Sequence, residues 1–328
     1  MLDRGALEAL QKGKNLLAFS GGIDSSALFF LLVEADVPFD MAIVDYGVRS
    51  QSIEEVAYAQ SLAQRYSKKC HVHYAPPIPS DFEAVARRIR YDYFASLAQE
   101  HGYTTLVTAH QLNDQMEWFL MQLAKGAGAL ELLGMQFVQK RAEYTLVRPL
   151  LHQPKAALQS YLDTNGYTYF VDESNVDMRY ARNAMRHHFS DPFVAQYAKG
   201  VAQSFAYIAQ DAALLSQGIQ ERRIQGLTLI DAPHRRGLIF AADKVLKTQG
   251  LMLSSSQKEW LAQHDGLLVA RKIALEIVGN RAYIAPYVTG VTLSKEFKEA
   301  CRKAAIPPHI RPYCYQQNIA ISTLLNND

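Results

Sequence analysis

Up to about residue 180 the chain alternates short apolar runs with stretches whose apolar residues recur every three or four positions. Asn15–Phe19, Phe39–Val44, Cys70–Tyr74 and Thr104–Thr108 read as buried strands of a parallel sheet, each flanked by Gly, Ser, Asp or Pro. Between them Ser25–Ala35, Ser52–Tyr66 and Phe82–Gln99 have helical periodicity; in the last, Phe82, Val85, Ala86, Ile89, Tyr93 and Leu97 form one stripe. This alternation predicts a doubly wound, mainly parallel α/β sheet, which binds ligands beyond the C-terminal ends of its strands. A helix over Leu112–Ala124 buries Leu112, Met116, Phe119, Leu120 and Leu123; Lys140–Leu151, Lys155–Asn165 and the polar stretch Asp172–Arg186 follow. Pro192 and an Ala/Gln-rich helix, Phe193–Ile219, mark a boundary, and Ala274–Ile277 with Ala282–Ala285 around Gly279-Asn280 reads as a β-hairpin. The expected organisation is a sheet domain over 1–190, a helical linker over 191–220 and a small mixed α+β domain over 221–328.

Composition narrows the class. With 49% apolar and 20% charged residues in 328, the chain is neither disordered nor a coiled coil. The longest apolar run, Ala27–Val33, falls far short of the ~20 residues that span a bilayer, and no apolar segment follows Met1-Leu2-Asp3-Arg4 as in a signal peptide. No membrane partner is therefore expected. Cys70, Cys301 and Cys314 lie far apart, which excludes a disulfide scaffold or a cysteine-held zinc or iron–sulfur site and points to the reducing cytoplasm. Net charge is +2 but uneven: residues 1–200 carry 19 Lys+Arg against 22 Asp+Glu, and residues 201–328 carry 15 against 10. The C-terminal part is thus better suited to a polyanion.

One motif carries clear chemistry. Ser20-Gly21-Gly22-Ile23-Asp24-Ser25 follows the strand Leu16–Phe19 and opens the helix Ser25–Ala35. Adjacent glycines let the backbone turn tightly against a ligand, and N–H groups at a helix start face an anion. The hydroxyls of Ser20 and Ser25 suit phosphate oxygens. Asp24 would repel phosphate unless a cation such as Mg2+ bridged them. A Ser/Asp-capped turn without a ligand is the plainer reading of the same residues.

The hexapeptide in this context resembles the PP-loop of the N-type ATP pyrophosphatases, of adenine nucleotide alpha hydrolase-like fold, and lacks the Gly-Lys-Ser/Thr of a Walker A motif. Ala109-His110-Gln111-Leu112-Asn113-Asp114-Gln115-Met116-Glu117 resembles the second motif of the tRNA(Ile)-lysidine synthase family, usually Ala-His-His-x-Asp-Asp-Gln-x-Glu-Thr. Further matches are Glu83, Ala86-Arg87 and Arg90-Tyr91; Lys125-Gly126-Ala127-Gly128; Leu133-Gly134-Met135; and Arg148-Pro149-Leu150-Leu151. Asp172-Glu173-Ser174-Asn175 and Tyr180, Arg182, Asn183 and Arg186 continue the series; beyond residue 200 only Ile306–Arg311 is similar, to a segment of longer members. Asn113, Trp118, Lys125 and Asp45-Tyr46-Gly47 depart from the usual Asp, Thr, Arg and His-His-Gly.

The resemblance implies an enzyme that joins L-lysine to the wobble cytidine of tRNA(Ile) with a CAU anticodon, using ATP and Mg2+ and releasing AMP and pyrophosphate. It implies ATP contacts from Ser20, Gly21, Gly22, Ile23, Asp24 and Ser25, metal ligands in Asp24, Asp114 and Glu117, and a phosphate-facing cation in Lys125. Asp114 and Glu117, three apart, share a helix face away from the apolar stripe and are expected to be free. Arg87, Arg90 and Tyr91 share another face, as do Arg182 and Arg186, and basic groups beside an aromatic suit a flipped base and its phosphates. His110 is expected to orient substrate. Two other readings stand beside this one: a PP-loop tRNA thiolase, disfavoured for want of paired cysteines, and an inactive ATP- or RNA-binding module. Homodimerisation is left open.

Overall fold

The structure is a computed structural model, and it describes residues 1–48, 51–171 and 181–325. The Asp172–Asn175 and Tyr180 matches fall outside the described residues. Two compact units divide the chain, Met1–Gln210 and Asp211–Asp328. No helix among the described residues is long and apolar enough to cross a membrane.

The first unit begins α1 (Arg4–Gln11), β1 (Asn15–Ala18), α2 (Ile23–Glu34), β2 (Phe39–Asp45), α3 (Gln51–Arg65), β3 (Cys70–Tyr74), α4 (Phe82–His101), β4 (Thr105–Val107) and α5 (Leu112–Leu123). It continues with α6 (Ala129–Leu133), β5 (Val138–Lys140), β6 (Thr145–Val147), α7 (Lys155–Asn165), α8 (Ala181–Met185), a π-helical turn (Arg186–Ser190) and α9 (Asp191–Ser216), which belongs to this unit as far as Gln210. The sheet has six strands in the order β3-β2-β1-β4-β6-β5, all parallel except β5, which runs antiparallel to β6. Side chains alternate across it as the two-residue period of a strand requires. Leu17, Met41, Ile43, Val107 and Val147 pack with α1, α2, α3 and α7, while Leu16, Ala42, Leu106 and Leu146 pack on Phe94, Leu97 and Ala98 of α4.

Strand order sets the site. The chain steps from β1 outward to β3 and then returns to the other side of β1 as β4. The crevice beyond the C-terminal ends of β1 and β4 is the topological switch point at which such sheets bind ligands. The β3 segment corrects one expectation. It is an edge strand, half-buried from Cys70 to His73 and exposed at Tyr74 rather than buried, because no strand among the described residues covers its outer side.

The second unit holds β7 (Gln220–Ile224), β8 (Leu227–Asp231), α10 (Arg235–Thr248), α11 (Ser255–Gln263), β9 (Gly266–Val269), β10 (Ile273–Val278), β11 (Arg281–Pro286), α12 (Lys295–Lys303), α13 (Arg311–Gln316) and α14 (Ile321–Leu325). Its antiparallel sheet runs β7-β8-β11-β10-β9, and the expected hairpin is β10–β11, with Val278 paired to Arg281. Both faces are covered. Leu275, Ile277, Ala282 and Ile284 face α10 and α11, and the alternate residues Ala274, Tyr283 and Ala285 meet α12, α13 and α14. In the Ile306–Arg311 segment Ile306 and Ile310 anchor this second face, and His309 Nδ1 lies 2.8 Å from Glu276 Oε1.

Candidate nucleotide and RNA site

The loop after β1 is shaped by its glycines and serines. Gly21 has φ +77°, and a Cβ there would come within 3.3 Å of the Phe170 ring, so the position favours glycine twice over. Gly21 O accepts from Phe170 N at 2.9 Å, which pins the loop to the segment before residue 171. The N-cap of α2 is Gly22, so Ile23, Asp24 and Ser25 form the first helical turn, two residues earlier than the periodicity predicts. Ser25 Oγ donates to Gly22 O at 3.1 Å and lies 3.1 Å from the exposed Ser20 Oγ. The first-turn N–H groups have no partners within the helix and carry the positive end of its dipole. Such a turn can cradle phosphate.

Asp24 is the anomaly within it. Its Oδ1 is buried without a hydrogen-bond partner among the described residues. Burial pushes its carboxyl up to about 7 and the nearby Asp114 charge adds to this, against smaller opposing effects of Lys155 and Arg186. A carboxylate so placed favours either a proton or a cation. Among the described residues no three His, Cys, Asp or Glu side chains come together as a metal cluster. Asp24 and Asp114 could still hold a hard divalent cation whose other ligands come from phosphate and water.

Glu117 cannot join them as it stands, and the expectation that it is free is corrected. Its side chain is 1% exposed and is gripped by two guanidiniums. Arg182 Nε donates to Oε1, and Arg186 Nε donates to Oε2 at 2.8 Å. Arg182 Nη1 also reaches Glu83 at 2.7 Å, and Arg186 Nη2 reaches Asp114 at 3.4 Å. The result is a chain of alternating charge, Glu83–Arg182–Glu117–Arg186–Asp114. Asp114 also caps α5, its Oδ2 accepting from Gln111 N at 3.1 Å. The shared helix face of Asp114 and Glu117 is real, but it is occupied. Arg182 and Arg186 correspondingly offer no open basic face; they neutralise the carboxylates.

His110 follows β4 and its Nδ1 lies 2.9 Å from Thr108 Oγ1. Burial lowers its pKa to about 4 despite Asp114, helped by Arg148, Arg87 and Arg90. It is a neutral imidazole near pH 7, suited to hydrogen bonding and not to neutralising phosphate. Lys125 is not brought to the group: exposed beyond α5, it stands about three helical turns from Asp114. Arg87 and Arg90 are exposed on α4, with the Arg87 guanidinium 4.8 Å from the Tyr91 ring centroid.

The departures from the usual motif have structural counterparts. Asn113 is buried, donating from Nδ2 to Asp191 Oδ1 at 2.7 Å and accepting from Lys155 N at 3.1 Å, so it ties α5 to α9 and α7. Trp118 lies over Gly134, where a Cβ would sit 2.0 Å from the indole Nε1. Sequence reading missed Lys155 and Asp191 near Asp24 and the clamping role of Glu83. The only signal for Lys155 is its place at the start of a helix just past the Arg148–Leu151 match.

The PP-loop domain model matches residues 4–191. The chain is similar to the tRNA(Ile)-lysidine synthase of Helicobacter pylori (strain J99), with 42% identity over 314 residues, covering 95% of this chain and 91% of that one. It is 44% identical to the tRNA(Ile)-lysidine synthase of Campylobacter jejuni (strain RM1221), covering 97% of each chain. Among solved structures, the U34-tRNA thiolase of Methanococcus maripaludis with its [4Fe-4S] cluster aligns at TM-score 0.52 and 14% identity, covering 64% of this chain and 78% of that one, which shows a shared fold. The sheet, the glycine turn at its switch point and the matching model define a PP-loop protein of the ATP-using type. Within that class the chain belongs to the tRNA(Ile)-lysidine synthase family.

Proposed function

We propose that this chain is a ligase that joins L-lysine to C2 of the wobble cytidine in tRNA(Ile) bearing a CAU anticodon. The cytidine O2 attacks the α-phosphorus of ATP, the bond to the β-phosphate breaks, and pyrophosphate leaves. The ε-amine of lysine then attacks C2 and AMP departs with the former O2. Adenylation turns a poor leaving group into a good one, and holding the three reactants together lowers the barrier by about 7–11 kcal/mol. The phosphates lie on the first turn of α2, hydrogen-bonded by Ser20, Ser25 and the backbone from Gly21 to Ser25. Asp24 and Asp114 would hold Mg2+, which would supply positive charge to offset that of the departing pyrophosphate. Arg186, locked together with Arg182 by Glu117, holds Asp114 in place, and His110 orients the base as a neutral hydrogen-bonding group. The second unit, with its basic balance, contributes RNA contacts.

The observation that carries this reading is Asp24, whose Oδ1 is buried without a hydrogen-bond partner among the described residues in the first turn of α2, in a chain of this family. The thiolase alternative gains nothing: Cys70 is on the edge strand, and Cys301 and Cys314 are buried in the core of the second unit. The test is incubation of the purified chain with a tRNA(Ile)(CAU) transcript, ATP and labelled lysine. ATP-dependent lysine incorporation with AMP and pyrophosphate release is expected. Nucleotide binding without incorporation would leave an inactive binder and overturn the assignment.

A further inference from the structure

Between α4 and the β5–β6 turn lies a cleft of about 420 Å3, outside the loop and the carboxylate chain described above. Arg87, Arg88 and Tyr91 line one side, Arg141 and Tyr144 the other. Near these residues Arg148, 5% exposed, is held among the described residues by neutral acceptors: Nη1 donates to Gln136 O at 2.9 Å, and both Nη groups reach Gln139 Oε1 at 3.3 Å. Its Nε is buried without a partner. Among the described residues none of these four arginines is within ion-pair distance of a carboxylate, although Asp92 and Glu143 also line the cleft. Burial, Arg141 and Arg87 together pull the Arg148 pKa down to about 10. Three lining arginines against two carboxylates, none of them closed into an ion pair, leave a net positive cleft that favours an incoming anion.

We infer that this cleft is a backbone subsite for single-stranded RNA, in which Arg87, Arg88 and Arg141 hold phosphodiester oxygens and the partly exposed Tyr91 flanks the sugar–base side of the strand, while the buried Tyr144 forms the floor. Arginine forks beside an accessible aromatic are the chemistry by which proteins grip unpaired RNA. The cleft leads to the site. Arg87 and Arg148 act on His110, and Glu83, one turn before Arg87 on α4, pairs with Arg182. A strand whose target nucleotide enters the site would lay neighbouring phosphates along α4. This inference rests on the proposed function.

The test compares wild type with Arg88→Ala/Arg141→Ala, both exposed positions, for binding of the tRNA(Ile)(CAU) transcript across a salt series and for the KM values of ATP and lysine. Affinity is expected to fall about tenfold, with the salt slope shallower by about 0.7 for each single-strand phosphate that is no longer neutralised. Arg141→Lys should restore part of the affinity, and the KM for ATP should stay within twofold. Unchanged RNA affinity and slope would overturn the subsite. A raised lysine KM at unchanged RNA affinity would also overturn it, by assigning the cleft to an amino-acid carboxylate. Failure of wild type to incorporate lysine would count against the proposed function instead, and the binding data would still judge the cleft.

Discussion

The face of α5 and the loop after β1 hold buried acid in opposite ways. Glu117 has a guanidinium on each oxygen, and the pairing extends through Arg182 and Arg186 to Glu83 and Asp114. Asp24 has a buried oxygen with no partner among the described residues, and its carboxyl is pushed up to about 7. A buried ion pair with satisfied hydrogen bonds is an architectural feature that is costly to break. A buried carboxylate left unpaired is a position the fold keeps for something that binds later. The arginines divide the same way: Arg182 and Arg186 are consumed by the protein, whereas Arg87, Arg88 and Arg141 are left open.

The largest expected effect comes from removing the unpaired acid. Asp24→Asn should lower lysine incorporation at least about 10^2-fold, as loss of a group that offsets transition-state charge does. The same change should stabilise the free protein at high pH. A carboxyl whose folded pKa is raised contributes stability that is intact below about pH 4 and is lost as pH rises through about 7. Wild type should therefore lose roughly 2–3 kcal/mol between pH 5 and pH 8 from this residue, and the Asn variant should not. Denaturant unfolding at both pH values reads the difference; equal pH slopes would mean that Asp24 is solvated after all.

Removing the paired acid should do the reverse and damage the fold itself. Glu117→Gln leaves two guanidiniums, 38% and 19% exposed, around a neutral amide. Breaking a buried pair on one side costs about 3 kcal/mol, discounted here toward the lower end because Arg182 reaches solvent. Urea unfolding measures it. A loss below about 0.5 kcal/mol would show that Glu83 and Asp114 can take over both arginines, and that the pairing is interchangeable.

The unequal legibility of these features has a physical basis. The strand, glycine turn and helix around Ser20–Ser25 are local in sequence, and local geometry follows from residue type, so loop and switch point were readable in advance. Cys70–Tyr74 was readable as a strand, but lateral position in a sheet depends on partners elsewhere, so its edge location was not. The pairing of Glu117 joins residues 65 and 69 apart in the chain. Helical spacing shows that Asp114 and Glu117 share a face and cannot say what covers it. In the second unit only β10–β11 announces itself, through Gly279-Asn280. The β7 segment, Gln-Glu-Arg-Arg-Ile, is an exposed edge with no apolar alternation to mark it.

His110 sharpens the comparison from the basic side, because its pH slope opposes that of Asp24. Its folded pKa of about 4 lies below the ordinary histidine value, so the unfolded chain takes up the proton first. Stability from this residue is intact above about pH 6.5 and falls as the pH drops toward 4. A loss of roughly 2 kcal/mol is expected between pH 7.5 and pH 4.5, and His110→Gln should remove it. A midpoint shift unchanged in the variant would place the acid sensitivity elsewhere.

The smallest effect tests whether a departure from the family pattern is compensated locally. Restoring the usual residue with Asn113→Asp would set a carboxylate against Asp191, where the amide now donates at 2.7 Å. Two acids at that distance cannot both ionise without cost, so one takes up a proton at a raised pKa. The variant should lose about 1–2 kcal/mol at pH 8, the range for replacing a buried hydrogen bond by an unsatisfied contact, and recover most of it near pH 5. The Asn113→Asp/Asp191→Asn double variant exchanges donor and acceptor and should restore stability at pH 8. If the double variant is as unstable as the single one, the cost comes from placing a charge at the buried position 113 and not from its pairing with Asp191, because the substituted side chain keeps an oxygen to accept from Lys155 N in both.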